Sequence, residues 1–287
     1  MTTVLITGAS GMLGRDLSAV CDDLDVRPLT RADLDITHPD EVADAVSGVD
    51  VVVNCAAYTK VDQAEADIDE AMAANAVGPQ VLATACTSSG ARLIHLSTDY
   101  VFRGDAATPY SEDSPRDPVS VYGKSKAAGE EAVLATYPDG SVIIRTAWLY
   151  GEHGPSFPRT MLTAAATRDT LNVVDDQVGQ PTWTKDLARQ IRLVIDHDIR
   201  SGIFHGTNAG QTSWWNFAKT IFQTAGLDPD RILPTTSAEF VRPAPRPAWS
   251  VLSHDAWAAV GLPAMRNWDE AFAEAYPECF SDIVGGQ

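Results

Sequence analysis

A short apolar run, Val4-Leu5-Ile6-Thr7, passes directly into Gly8-Ala-Ser-Gly11-Met-Leu-Gly14, and that transition narrows the folds open to the chain. Glycines so placed permit a tight turn and close backbone approach. The helix that follows, expected over Arg15 to Cys21, offers free N–H groups and a positive dipole end. A strand, turn and helix joined in this way form the pyrophosphate-binding unit of dinucleotide-binding sheets. The spacing is GxxGxxG rather than GxGxxG, so the reading rests on the strand before it and the helix after it.

The rest of the first half agrees with a parallel sheet. Val49 to Ala57, Arg92 to Ser97 and Ser141 to Thr146 are β-branched runs without strict polar alternation, as expected of strands buried on both faces. Asp69 to Ser89 and Val121 to Tyr137 read as helices between them, and strand–helix alternation implies right-handed crossovers. After about Gly151 the pattern loosens, with Trp and Pro scattered among short helices, before Asp186 to Ile199 reads as a helix and Gly202 to Asn208 as one more strand. The expected fold is α/β, a Rossmann-type doubly wound parallel sheet with a smaller C-terminal substrate-binding α/β domain. Residues 1–150 are expected to bind the dinucleotide, rejoined by about 184–210, and 151–287 mainly the substrate.

The chain of 287 residues carries a formal charge of −18, a field that repels nucleic acid and anionic lipid, and no Lys/Arg run makes a local exception. Neither nucleic acid nor a membrane is an expected partner. Cys21, Cys55, Cys86 and Cys279 lie far apart, with no CxxC and no clustered histidine, so a reducing compartment and no metal site are expected. The opening residues show no signal-type segment and no apolar run approaches the ~20 residues that span a bilayer. The expected location is the cytoplasm. Oligomeric state stays open, a homodimer included.

Tyr122-Gly-Lys-Ser-Lys126 places a phenol and an amine four residues apart, hence on one face of a helix. An ammonium so close is expected to favour the phenolate and let a phenol with an ordinary pKa near ~10 exchange protons at neutral pH. The second strand, read as Val26 to Leu29, ends in Thr30-Arg31, where many dinucleotide sites carry a carboxylate for the ribose hydroxyls. Arg31 can pair a 2′-phosphate instead. That favours NADPH, although Asp33 or Asp35 could still serve NADH.

With both motifs placed, the chain resembles the extended short-chain dehydrogenase/reductases over nearly its whole length. Asn54-Cys-Ala-Ala-Tyr-Thr59 leading to Val61-Asp62 and Ala64-Glu65, Ser97-Thr-Asp-Tyr-Val-Phe102, Arg145-Thr-Ala-Trp-Leu-Tyr-Gly151, Asp176 to Thr182 and Arg246-Pro-Ala-Trp-Ser-Val-Leu252 carry the resemblance, together with Leu34-Asp-Ile-Thr37 and Asn75-Ala-Val-Gly78. These stretches point to the subgroup that reduces dTDP-4-ketosugars. The resemblance implies an NAD(P)H-dependent reductase of dTDP-4-dehydro-L-rhamnose. It makes Tyr122 the general acid, Lys126 its electrostatic partner and a ribose ligand, and Thr98 the hydroxyl that hydrogen-bonds the reacting carbonyl. Asp99 would contact the sugar and Trp148 would line its pocket. The cofactor would lie along Gly8, Gly11, Met12, Leu13 and Gly14 at its pyrophosphate, Arg31, Asp35 and Ile36 near the adenosine, and Ala56, Ala57 and Tyr58 along its edge.

Alternatives remain: another dTDP-deoxysugar as substrate, or a non-catalytic regulatory subunit of the same fold, which the intact Thr98-Tyr122-Lys126 set disfavours. Arg103 stands where relatives usually have an acid and could alter the pocket rim. Arg242 and Arg246 are candidate diphosphate clamps by charge alone, while Trp214 and Trp215 read as packing.

Overall fold

The computed structural model describes residues 1–284. In chain order the elements are β1 (Thr3–Thr7), α1 (Met12–Val20), β2 (Asp25–Leu29), α2 (Pro39–Val46), β3 (Val51–Asn54), α3 (Val61–Ala64), α4 (Ile68–Met72), a π-helical turn (Ala73–Val77), α5 (Gly78–Ser89), β4 (Arg92–Thr98) and α6 (Val121–Thr136). Then come β5 (Ser141–Thr146), β6 (Leu149–Tyr150), α7 (Phe157–Ala165), β7 (Leu171–Val174), β8 (Val178–Gly179), β9 (Thr182–Trp183), α8 (Thr184–Asp196) and β10 (Gly202–His205). The chain continues with β11 (Thr212–Ser213), α9 (Trp214–Thr224), β12 (Ile232–Thr235), α10 (Asp255–Ala259), α11 (Trp268–Cys279) and α12 (Ser281–Val284).

Six strands form one parallel sheet in the order β10-β5-β4-β3-β1-β2. The apolar runs fill its centre: every residue of β3, β4 and β5 is buried, while β2, with Pro28, occupies the exposed edge that a strand proline tolerates. One face packs Leu13 and Leu17 of α1 and Leu187, Ile191 and Val194 of α8 onto Val4, Ile6, Val51 and Ile94. The other packs Val42, Leu82, Ala83 and Val133 onto Leu5, Val52, Leu93 and Ile143. Each large aliphatic side chain so buried contributes roughly 1.5–3 kcal/mol.

Strand order reverses between β1 and β3, since β2 lies on one side and β3 to β5 on the other. In such sheets ligands bind beyond the carboxyl ends of the strands at that switch point. A separate apolar core, with Tyr150, Trp183, Phe217, Phe222, Phe272 and Phe280, joins the short β6/β9 and β7/β12 pairs to α7, α9 and α11. Among the described residues no helix is long and apolar enough to cross a membrane.

Candidate active site

The glycine loop leaves β1 at the switch point. Gly8 has φ +67°, and a Cβ there would lie 2.6 Å from the Ala56 nitrogen, so glycine alone lets the β1 turn pack against the segment leaving β3. At Gly14 a Cβ would lie 2.7 Å from the Gly8 carbonyl oxygen, so its absence lets α1 approach the loop. Gly11 is the extended N-cap of α1 and no side chain caps that end. Its first N–H groups therefore face outward at the positive end of the helix dipole, a cradle that fits a pyrophosphate. Leu13 turns its side chain into the core, so only its backbone is available to a ligand, and Met12 is half-buried.

Beyond β2, Asp33 is consumed locally: it accepts from the Thr30 backbone N–H at 2.9 Å and its hydroxyl at 2.6 Å. Asp35 likewise accepts from the Thr37 N–H at 3.0 Å and hydroxyl at 2.7 Å, which together hold its carboxyl below the usual range. Ile36 packs into the core against Gly78, whereas Arg31 is exposed.

Ala56, Ala57 and Tyr58 follow β3, and Asn75 pins Tyr58. Its Oδ1 accepts from the Tyr58 N–H at 2.8 Å, and its Nδ2 donates to the Tyr58 carbonyl and to the Ser125 hydroxyl, both at 3.0 Å. Asn75 sits in the π-helical turn, and the wider turn reshapes the helix expected over Asp69 to Ser89 so that one side chain bridges the loop and α6. Asn54 also fixes the segment, accepting from the Thr7 hydroxyl at 2.7 Å and the Ala56 N–H at 3.1 Å.

Tyr122 and Lys126 share one face of α6, which begins with Ser120 accepting from the Gly123 N–H at 3.1 Å. Lys126 is buried, lies near Cys55 at the end of β3, and donates to the Leu96 carbonyl at 2.5 Å. Burial pulls the ammonium down to about 8, against the opposing pull of Glu130. The expected acidification of the phenol does not occur. Burial dominates and pushes Tyr122 up to about 12, with the Thr98 hydroxyl lowering it and the Asp99 carboxylate raising it. The lysine cation is turned toward the Leu96 carbonyl of β4, and burial disfavours the phenolate.

Thr98, last in β4, donates its hydroxyl to Asp99 Oδ1 at 2.9 Å. Asp99 is buried and burial raises its carboxyl to about 6, while its Oδ2 has no hydrogen-bond partner. Ser250 stands beside this carboxylate, and Gly179 lies against both Ser250 and the ring of Trp148. Trp148 holds φ +47°, a conformation costly for a bulky residue and characteristic of functional sites. Its ring is half-buried and stacks on Trp214, with centroids 3.5 Å apart and planes inclined by 10°. Thr98, Asp99, Tyr122, Lys126 and Trp148 thus meet at the carboxyl edge of the sheet.

Trp214, read from sequence as packing, and Ser250, not singled out there, belong to the same rim. Two adjacent tryptophans opening a helix were the available signal for Trp214, and Ser250 lies inside the Arg246 to Leu252 stretch. Arg103 is exposed and paired to Asp117 at 2.8 Å. Arg242 and Arg246 both meet Asp62.

A doubly wound sheet with a glycine cradle at its switch point and a Thr-Tyr-Lys set beside it defines an extended short-chain dehydrogenase/reductase. Residues 1–280 match the family model described as RmlD substrate binding domain, and the chain belongs to that family. It is 49% identical to a dTDP-4-dehydrorhamnose reductase of Streptomyces griseus, over 95% of this chain and 92% of that protein. It is 50% identical to a probable dTDP-4,6-dihydroxy-2-methyloxan-3-one 4-ketoreductase of Streptomyces antibioticus, over 96% of this chain and 94% of that one. The crystal structure of the Bacillus anthracis dTDP-4-dehydrorhamnose reductase in complex with NADP superposes with a TM-score of 0.92 at 38% identity, covering 97% of this chain and all of that one.

Proposed function

We propose that the protein reduces the 4-keto group of dTDP-4-dehydro-L-rhamnose, giving dTDP-L-rhamnose, with NADPH preferred to NADH. The convergence of Thr98, Tyr122 and Lys126 beside the glycine cradle carries this reading. A bound nicotinamide supplies the hydride. As charge develops on the ketone oxygen, Tyr122 gives up its phenolic proton to it. Thr98 turns its hydroxyl from Asp99 toward the same oxygen as a second donor. Lys126, an ammonium at neutral pH, stabilises the phenolate left behind. Asp99 contacts the sugar, and the Trp148 face receives its methyl and C–H edges. On this reading residues 1–150, rejoined by about 184–210, hold the dinucleotide and 151–287 mainly hold the sugar, in the cytoplasm.

The panel that tests this presents several dTDP-4-ketosugars to the purified protein and follows loss of reduced-nicotinamide absorbance. The rhamnose precursor should turn over fastest. No turnover with any member would end the reductase reading. The 50% identity to the S. antibioticus ketoreductase favours a second reading, another dTDP-deoxysugar, which a faster substrate in the same panel would select.

The cofactor preference rests on Arg31, exposed beside two acids that are already engaged. Arg31→Ala should weaken NADPH about tenfold, the loss of one charge-assisted hydrogen bond, and leave NADH within about twofold. Fluorescence titration with both cofactors measures it, and equal losses would remove Arg31 from phosphate recognition.

A further inference from the structure

Residues 240–248 run from the C-terminal domain across the rim of the site, with Phe240 and Val241 exposed. The far end of this strap is fastened by Val178 N–H to the Ala248 carbonyl at 2.8 Å and Trp249 N–H to the Gly104 carbonyl at 3.0 Å. Its middle is held differently, by one carboxylate of the opposite domain. Asp62, at the start of α3, accepts from the Ala244 N–H at 3.3 Å and forms ion pairs with Arg246 Nη2 at 3.0 Å and Arg242 Nη1 at 3.7 Å. Arg246 in turn donates to the Ala244 carbonyl at 2.9 Å, which fixes its fork.

Two guanidinium groups and a backbone N–H converging on two oxygens is the donor set that grips a phosphate. The clasp also adjoins the reaction site. Tyr100 feels the charges of both Arg246 and Asp62, and its ring stands edge-on to Tyr122, with centroids 5.5 Å apart. In a chain of charge −18, a diphosphate finds few cations, and here two of them are already neutralised.

We propose that Asp62 is a built-in counter-anion that holds the strap closed, and that the diphosphate of a nucleotide-sugar displaces it from Arg242 and Arg246. This rests on the nucleotide-sugar reading above and adds a regulation of that same site. Substrate entry then frees the strap from α3, and the competition lowers affinity by the factor in which the clasped state outweighs the free one. A partly exposed ion-pair cluster makes that factor about five.

Calorimetric titration of the full chain with dTDP tests it. Asp62→Asn should bind dTDP about fivefold more tightly, the competition having been removed, with thymidine affinity unchanged because thymidine carries no phosphate. Arg246→Met should weaken dTDP, and adding Asp62→Asn to it should restore far less than it gains alone. Asp69→Asn, an exposed neighbour outside the clasp, should bind as the wild type does. Wild-type dTDP binding with no gain, or a loss, in Asp62→Asn overturns the clasp and leaves the nucleotide-sugar reading standing. An equal gain in Asp69→Asn or with thymidine overturns it too, since general charge or general opening would then explain the change. A wild type that does not bind dTDP overturns both readings together.

Discussion

Tyr122→Phe should lower turnover about 10³-fold, within the range of 10² to 10⁴ that a positioned general acid supplies, while leaving NADPH affinity within about twofold. The phenol stands beside Thr98, whose hydroxyl lowers its pKa, yet burial holds it protonated across the physiological range, its pKa pushed to about 12. For reduction that is the useful state. The acid must arrive with its proton and release it only when the ketone oxygen has taken up charge. The alkoxide that forms is a much stronger base than a phenolate, so a phenol of this acidity protonates it readily. Phenylalanine keeps the ring and its edge-to-face contact with Tyr100 but has nothing to give. The wild-type rate should also fall as pH rises past about 8, where Lys126 loses the proton that stabilises the phenolate. Steady-state rates with the preferred ketosugar, beside a cofactor titration, measure both. A Phe variant within about threefold of wild type would take the general-acid role from Tyr122.

How much of this could be read from residues alone depends on whether the signal was local. β3, β4 and β5 were legible because a strand buried on both faces writes itself as an unbroken apolar run. The glycine loop was legible because its backbone demands allow few other residues. The sequence places the start of α1 at Arg15 whereas the helix begins at Met12, because its N-cap is a glycine and no capping side chain marks it. The π-helical turn at Ala73–Val77 left no trace in a pattern of small residues. Two-residue strands such as β6, β8 and β9 have no period to detect.

In the site, spacing fixed that Tyr122 and Lys126 share a face but not where the ammonium points. That is decided by the Leu96 carbonyl of another element and by desolvation. The Trp148–Trp214 stack and the Asp62 clasp join residues distant in sequence, and no local pattern carries such a pairing.

The largest effect on stability should come from Arg145. It is 1% exposed and Glu130 is fully buried. Arg145 Nε donates to Glu130 Oε1 at 2.9 Å and Nη2 to Oε2 at 2.8 Å, a bidentate pair. Ser97 adds a hydrogen bond to Oε1 at 2.5 Å and Arg116 one to Oε2 at 3.3 Å. The third arm of Arg145 donates to the Glu112 carbonyl at 3.1 Å and faces His205 Nε2 at 3.4 Å. His205 Nδ1 lies 2.9 Å from the Ser253 carbonyl and must carry the ring proton, so Nε2 is the acceptor. Burial and the Arg145 charge push His205 down to about 3, which keeps it in that neutral form.

Arg145→Met fills a similar volume but strips the main partner from a buried carboxylate, and the loss should be about 3–5 kcal/mol. At roughly 2–4 °C per kcal/mol for a chain of this size, the melting point should drop by about 10 °C. Glu130→Leu with Arg145→Met removes both charges and should recover most of that loss, so the double-mutant cycle should show strong coupling. Thermal melts of the three variants measure it, and additive losses would mean that the pair is not a unit. The recovered double variant bears on catalysis as well. Glu130 lies one turn beyond Lys126 on α6 and its charge raises the lysine's pKa. With that carboxylate gone, Lys126 should lose its proton at lower pH, and the alkaline fall in rate should begin earlier in a protein that is otherwise folded.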